Sequence, residues 1–171
     1  MNKLSVGHVL SGVFVFLVQI ILFRNVSLEI GERYALTVLV YPLVILMLPV
    51  NFSRTILLVS AFFVGLMMDW FYDSVGVHAA TLVATAFLRS FLLRLLEPRG
   101  GYRIDSSPSV AQSGMLWTLR YIGILMFVHC LLFFAIDAFT LLYLDRILVN
   151  AILTFIVSYM VAMLYMSLVR Y

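Results

Sequence analysis

Six long apolar stretches dominate this sequence: Leu4 to Phe23, Tyr34 to Val50, Thr55 to Trp70, His78 to Leu96, Leu119 to Ile136 and Arg146 to Val169. Runs of this kind narrow the choice of fold sharply. About 20 apolar residues in a helix cross about 30 Å of hydrocarbon. In lipid every backbone polar group needs an internal partner, which leaves α-helices or closed barrels. A barrel would show alternating segments of about ten residues. These runs are continuous, so helices are expected, the second and third being the short ones. The rest of the composition agrees: the chain is 64% hydrophobic and 11% charged, where a soluble domain is about 45–50% apolar and about 25% charged. The expectation is all-α: one integral membrane domain over residues 1–171, six transmembrane helices and a single long cytoplasmic loop, 97–118. No internal repeat stands out.

The net charge of +3 then reads as membrane topology, not nucleic-acid affinity, since no basic stripe interleaved with aromatics accompanies it. With the N-terminus placed inside, the inner side collects Lys3, Arg54, Arg89, Arg94, Arg99, Arg103, Arg120 and Arg170, eight of the 11 basic residues. The outer side takes Arg24, Arg33 and Arg146, with six of the 8 acids: Glu29, Glu32, Asp69, Asp73, Asp137 and Asp145. Basic residues near helix ends are retained on the cytoplasmic side, so both termini are expected inside. The first run exceeds the 7–15 residues of a signal-peptide core and lacks an A-x-A site, so it reads as an uncleaved span. The lone Cys130 lies in an apolar run; it cannot form an intrachain disulfide or anchor a cysteine-based metal site, and reads as a packing residue. Pro98, Gly100, Gly101 and Pro108 break any helix across the polar loop, leaving either a flexible tether or a docking segment for a cytoplasmic partner.

The candidate site is Gly65-Leu-Met-Met-Asp-Trp-Phe-Tyr-Asp-Ser-Val-Gly-Val-His78. Counting from Arg54, Asp69 lies about 22 Å along a helix at 1.5 Å per residue, in the outer part of the hydrocarbon or at its edge. Asp69 and Asp73 share a face if the helix continues that far, and Gly65 lies on it too, where it lets a neighbour come close. Trp70 and Tyr72 suit an interfacial aromatic belt. Ser74 and Gly76 supply a turn and His78 opens the next span, so the stretch reads as a tight hairpin. As a metal site, Asp69, Asp73 and His78 offer three ligands spread across a turn, too few and too dispersed. A general acid/base pair needs a second polar cluster, and Gln19, His129 and Asn150 show no motif that converges on it. No catalytic residue, metal or cofactor is expected. A structural role is, with Asp69 paired to Arg24 at the end of the first span.

Other faces carry small residues at three- or four-residue spacing: Gly7 and Ser11; Ala80 and Ala84, beside Thr81 and Thr85; Ala151, Thr154, Ser158 and Ala162. Such faces let helices pack closely in lipid, either within the bundle or against a partner's transmembrane helix. Arg89 and Arg94 are expected to snorkel to the inner headgroups. Pro42 and Pro49 are expected to kink or end the second span. His8 and His129 read as satisfied core or interface histidines.

This arrangement resembles the rod shape-determining protein family MreD, Bacteroidetes-like members in wording. The resemblance spans the chain as an arrangement of six short helices, and its local signature is Gly65-x-x-x-Asp69 followed by Gly76-x-His78. It implies an inner-membrane component of the elongasome, the machine that directs lateral peptidoglycan synthesis and rod cell shape. It implies no catalysis. The partners implied are MreC, with its transmembrane helix and periplasmic domain, and in the wider complex MreB, RodA and a class B transpeptidase. The fold implied is similar to the S components of energy-coupling-factor transporters, so a solute-binding vitamin-transport subunit is the alternative. Only Gly65, Asp69, Gly76 and His78 carry over, as motif positions without assigned chemistry.

Overall fold

The structure is a computed structural model that describes residues 6–24, 26–30, 34–102, 107–140 and 142–168, apart from the side chains of Glu29, Ile30 and Ala111. Lys3, Glu32, Arg33, Arg103 and Arg170, counted in the charge distribution above, lie outside the described residues. The elements are α1 (Val6–Val18), continued as a wider π turn over Gln19–Phe23, β1 (Ser27–Ile30), β2 (Tyr34–Thr37), α2 (Leu43–Leu46), α3 (Arg54–Tyr72), α4 (Val77–Leu95), α5 (Val110–Ser113), α6 (Met115–Asp137) and α7 (Leu144–Leu168). Among the described residues five helical segments are long and apolar enough to cross a membrane: Val6–Phe23, Arg54–Tyr72, Val77–Leu95, Met115–Asp137 and Leu144–Leu168. The protein is a predominantly helical, multi-pass membrane protein. α3 packs on α4, α4 on α6 and α6 on α7.

The second expected span, Tyr34 to Val50, is not a transmembrane helix. It is a strand, an extended stretch and the four-residue α2. The local chemistry explains the departure. Pro42 sets the first turn of α2, with φ −58°, and a proline disfavours helical backbone in the residue before it. The β-branched Thr37, Val38 and Val40 suit extended chain. Pro49 closes the segment a few residues later.

This central segment threads the bundle from one end to the other and is its most buried part. Val38 through Leu43 and Ile45 through Met47 are all buried. Its side chains divide between two hydrophobic clusters. Val38, Val40, Leu43, Leu46 and Met47 join Val15, Tyr121, Ile122, Leu125 and Met126. Leu39, Tyr41 and Ile45 join Leu57, Ala61, Met68, Leu82, Cys130 and Ala151. Successive residues of extended chain point to opposite faces, so the segment forms a wall between the two.

Non-helical backbone at membrane depth is tolerated only where protein or a water-filled cavity satisfies it. Here helix side chains do so. The N–H groups of Ala35, Thr37 and Leu39 donate to Asn150 Oδ1 (3.1 Å), Thr154 Oγ1 (3.2 Å) and Ser158 Oγ (2.8 Å) on α7. The periods match: four helical residues advance about 6 Å and two strand residues about 6.6 Å. β1 takes the opposite edge, pairing antiparallel from Ser27↔Thr37 to Ile30↔Tyr34. The buried Gln19 serves the next stretch: its Oε1 accepts from Val40 N–H (2.6 Å) and Tyr41 N–H (3.2 Å), and its Nε2 donates to the Val38 carbonyl (2.9 Å). At the far end the free carbonyls after α2 are met by Arg89, which donates to Leu48 and Pro49, and by Tyr121, whose hydroxyl donates to Leu46 (2.9 Å).

Of the two uses left open for the small face of α7, packing within the bundle is the one seen: Ala151, Thr154, Ser158 and Ala162 are buried inside the protein, against the central segment. One expectation changes. Arg89 does not snorkel: it is 1% exposed, and its Nε donates to Tyr121 Oη (2.9 Å). Arg94 is exposed. Ser158→Ala is expected to leave the Leu39 N–H without its acceptor and to cost about 1–3 kcal/mol. The loss should appear as faster amide exchange around Leu39, with exchange on α3 unchanged.

The described residues of the polar loop are bonded to the bundle. Tyr102 Oη donates to the Leu93 carbonyl (2.7 Å) and Trp117 Nε1 to the Leu96 carbonyl (2.9 Å). Ser107 bonds His8 (2.6 Å) and, with Ser109, is buried. α6 begins at Met115, earlier than expected.

Candidate functional site

The α3–α4 hairpin forms because α3 runs out of helix-compatible backbone at Asp73. That residue adopts the left-handed conformation, φ 52° and ψ 34°, and its N–H closes onto the Asp69 carbonyl. Ser74 N–H joins the same carbonyl (3.0 Å). Gly76, at φ 79°, precedes α4, a conformation that glycine adopts without steric cost. Having no side chain, Gly76 cannot cap the helix it starts.

Asp69 supplies that cap from the previous helix. Its Oδ1 accepts from the backbone N–H of His78 (2.9 Å) and its Oδ2 from that of Ala79 (3.0 Å). These are two of the four N–H groups that a helix start leaves unpaired, and an anion is favoured there by the helix dipole. Oδ1 also accepts from the Ser74 hydroxyl and lies 3.0 Å from His78 Nδ1. Because Oδ1 can only accept, Nδ1 carries the imidazole proton. Asp69 is 5% exposed and His78 2%, so the pair sits in the interior with its carboxylate fully engaged.

Gly65 permits this geometry. A Cβ there would lie 2.4 Å from Ala79 Cα and 2.8 Å from Ala79 N. The obstacle is backbone, which cannot swing aside as a side-chain tip does. Gly65→Ala is therefore expected to part α3 from α4, pull Asp69 off the Ala79 N–H and cost about 1–3 kcal/mol. A melting comparison in one detergent checks this, with Gly100→Ala, which meets nothing within 4 Å, as the neutral control.

The expected Arg24–Asp69 pair does not form. Arg24 instead reaches Asp73, at 3.8 Å, with the two side chains 43% and 89% exposed. The helix stops one residue short of carrying Asp73 onto the face of Asp69, so the acids separate: one caps α4, the other meets Arg24 at the surface. Asp69, Asp73 and His78 accordingly do not converge, and among the described residues no group of three or more His, Cys, Asp or Glu could hold a metal ion. Trp70 is exposed, whereas Tyr72 turns inward and its hydroxyl accepts from Gln19 Nε2 (2.7 Å).

Around His78 stand the rings of Tyr72, Phe133 and Tyr41, with centroids at 4.9, 5.0 and 5.4 Å. Tyr41 links this corner to His129: its ring lies 5.2 Å from that imidazole and its hydroxyl donates to Nε2 (2.9 Å). His129 Nδ1 is 2.9 Å from Thr85 Oγ1, which donates to the Thr81 carbonyl (2.8 Å). Both nitrogens of His129 are thus in use, as a satisfied core histidine requires. Sequence reasoning placed Gly65, Asp69, Gly76 and His78 in one hairpin, and the structure brings them together. It missed the involvement of Tyr41, Tyr72, Gln19 and Arg89. The isolated Gln19 and Asn150 in apolar runs were the available signal, since an uncharged polar residue at membrane depth needs a partner.

Of the remaining small residues, Ser11 bonds Tyr165 and joins α1 to α7, and Gly7 is half-buried. Ala80 is exposed and Ala84 half-buried, so their face of α4 looks outward. Comparison with family models, with curated proteins and with solved structures gives no match.

Proposed function

We propose that this chain is a non-catalytic scaffold of the bacterial inner membrane, with both termini cytoplasmic, similar in role to MreD. On this reading it binds MreC and supports lateral peptidoglycan synthesis and rod shape, with MreB, RodA and a class B transpeptidase in the wider complex. The carrying observation is where the interior polarity goes. Gln19, Arg89, His129, Asn150, Thr154 and Ser158 all bond the chain's own central segment or its neighbours. What the molecule offers outward is apolar helix surface, on which association in lipid works by close packing. α1 contributes Val6, Leu10, Val13, Phe14, Leu17 and Ile21 to that surface. α4 contributes the outward Ala80 and Ala84, flanked by Phe87.

The alternative, a solute-binding subunit of the S-component kind, needs a polar-lined chamber among the helices. The filling of the bundle by Leu39, Tyr41, Leu43, Ile45 and Leu46, each at most 1% exposed, speaks for the scaffold. Cysteine crosslinking from Ala80, Ala84 and Leu10 in native membranes tests the proposal. An adduct to a single-span protein with a periplasmic domain is expected from α4 or α1. A retained small molecule in native mass spectrometry, with no protein adduct from any position, would overturn it.

A further inference from the structure

Two arginines stand at the end of the bundle where α3 begins and α4 finishes. An arginine near a helix end normally extends along the helix toward the headgroups. Arg54 and Arg94 both fold back. The Arg54 guanidinium lies 4.6 Å from the centre of the Phe87 ring, about two turns before α4 ends at Leu95. Arg94 reaches back one turn, where its Nε donates to the Ser90 carbonyl (3.4 Å). Phe87, Phe91 and Arg94 share one face of α4, at i, i+4 and i+7. Phe87 and Ser90 are separated by about 4.5 Å of helical rise, so the two guanidinium groups lie on neighbouring turns of that face. Among the described residues neither arginine makes an ion pair. The described acid at this end is Glu97, and its Oε1 sits instead at the Gly101 turn, 3.7 Å from where a Cβ on that glycine would stand. Phe87 and Phe91 are exposed, so the surface around the two cations is apolar.

We propose that this face binds an anionic phospholipid, its headgroup phosphate bridging Arg54 and Arg94 and its acyl chains lying on Phe91 and Phe87. Two uncompensated charges turned back over apolar surface require an anion. A soluble anion would leave the rings bare, and an apolar helix would leave the cations bare. An amphiphile with a phosphate head and hydrocarbon tails covers both. Arginine suits this task, because its planar fork matches phosphate while its flat face stacks on a ring. Phe87 holds Arg54 in place without neutralising it. Basic pockets between transmembrane helices take anionic head groups in the same way. The site requires only that the chain lies in a membrane, and it is independent of the scaffold reading.

The test is native mass spectrometry of the full-length protein in detergent, titrated with phosphatidylglycerol or with phosphatidylcholine of the same acyl chains. The first phosphatidylglycerol is expected to bind about fivefold or more tightly than the first phosphatidylcholine, from the attraction of each arginine for an anionic headgroup. Arg54→Gln combined with Arg94→Gln is expected to bring that ratio close to one. Arg24→Gln combined with Arg146→Gln removes the same charge at the opposite end of the bundle and should leave the ratio unchanged. Phe87→Leu keeps both charges and should lower the ratio about twofold, by releasing Arg54 from its ring. All five positions are exposed, so every variant should fold. Equal affinity of the wild type for the two lipids overturns the proposal, as does an equal loss in the two double variants. Displacement of phosphatidylglycerol by inorganic phosphate at the same concentration overturns it too, since the site would then recognise a bare anion and not a lipid.

Discussion

Asp69→Ala is expected to lower the stability of the folded protein by about 3–5 kcal/mol, enough to abolish the fold in many detergents. The carboxylate has four bonds, to the N–H groups of His78 and Ala79, to His78 Nδ1 and to Ser74. Truncation leaves several of these donors buried without a partner, at about 1–3 kcal/mol for each orphaned group, and removes the cap of α4. Asp69→Asn is expected to recover only part of the loss. Its amide can still accept at Oδ1, but it turns a second donor toward the Ala79 N–H. Arg24→Ala is the informative contrast. Its ion pair with Asp73 is long and exposed, so the change should stay within about 0.5 kcal/mol. Denaturation of the three variants in one detergent would separate the roles of the two acids. Equal losses for Asp69→Ala and Arg24→Ala would restore the pairing that the hairpin geometry replaces.

Arg89→Met should cost about 2–4 kcal/mol, and the damage should be local. Methionine keeps the flexible apolar stem and much of the volume, so packing changes little. What goes is the pair of bonds to the Leu48 and Pro49 carbonyls and the bond to Tyr121. Part of the loss is offset, since the guanidinium no longer has to be buried. The two carbonyls remain in the interior, at about 1–3 kcal/mol each without a donor. Arg89→Lys should fall between, because one ammonium replaces a planar fork that reaches several acceptors at once. Amide exchange should accelerate from Leu43 to Val50 and stay slow in α3. An arginine that reached the headgroups would give no such pattern, and its removal would be close to neutral.

Run length and hydropathy disclosed the five long helices to within a few residues, because a helix in lipid satisfies its own backbone and needs only apolar length. The same criterion misread Tyr34 to Val50. A short apolar run does not distinguish a buried strand from a buried helix by periodicity. The decisive information lay elsewhere in the chain, in Gln19, Asn150, Thr154 and Ser158, whose side chains stand in for the missing helical bonds. The prolines and β-branched residues of the segment were the local hint.

The hairpin was legible for a different reason. Gly65, Asp69, Gly76 and His78 fall within fourteen residues, so their spacing alone limits where each can go. Even so, the partner of Asp69 was misjudged. Helical rise gave its depth but not which neighbour it faced, and the backbone donors at the start of α4 are invisible in a list of charged residues. Arg89 shows the converse. Its position in the inner half of the span suggested escape to the headgroups, and only the packing of α2 against α4 reveals carbonyls that need it.

The bundle commits its interior polarity to its own extended central segment and leaves its outer faces to meet other molecules. Backbone chemical shifts of residues 34–50, measured by solid-state NMR in lipid bilayers, test this most directly. The predicted result is extended-chain shifts from Tyr34 to Tyr41, helical shifts confined to Leu43–Leu46, and slow exchange at the Leu39, Val40 and Tyr41 amides. Uninterrupted helical shifts from Tyr34 to Val50, or rapid exchange at those three amides, would contradict it.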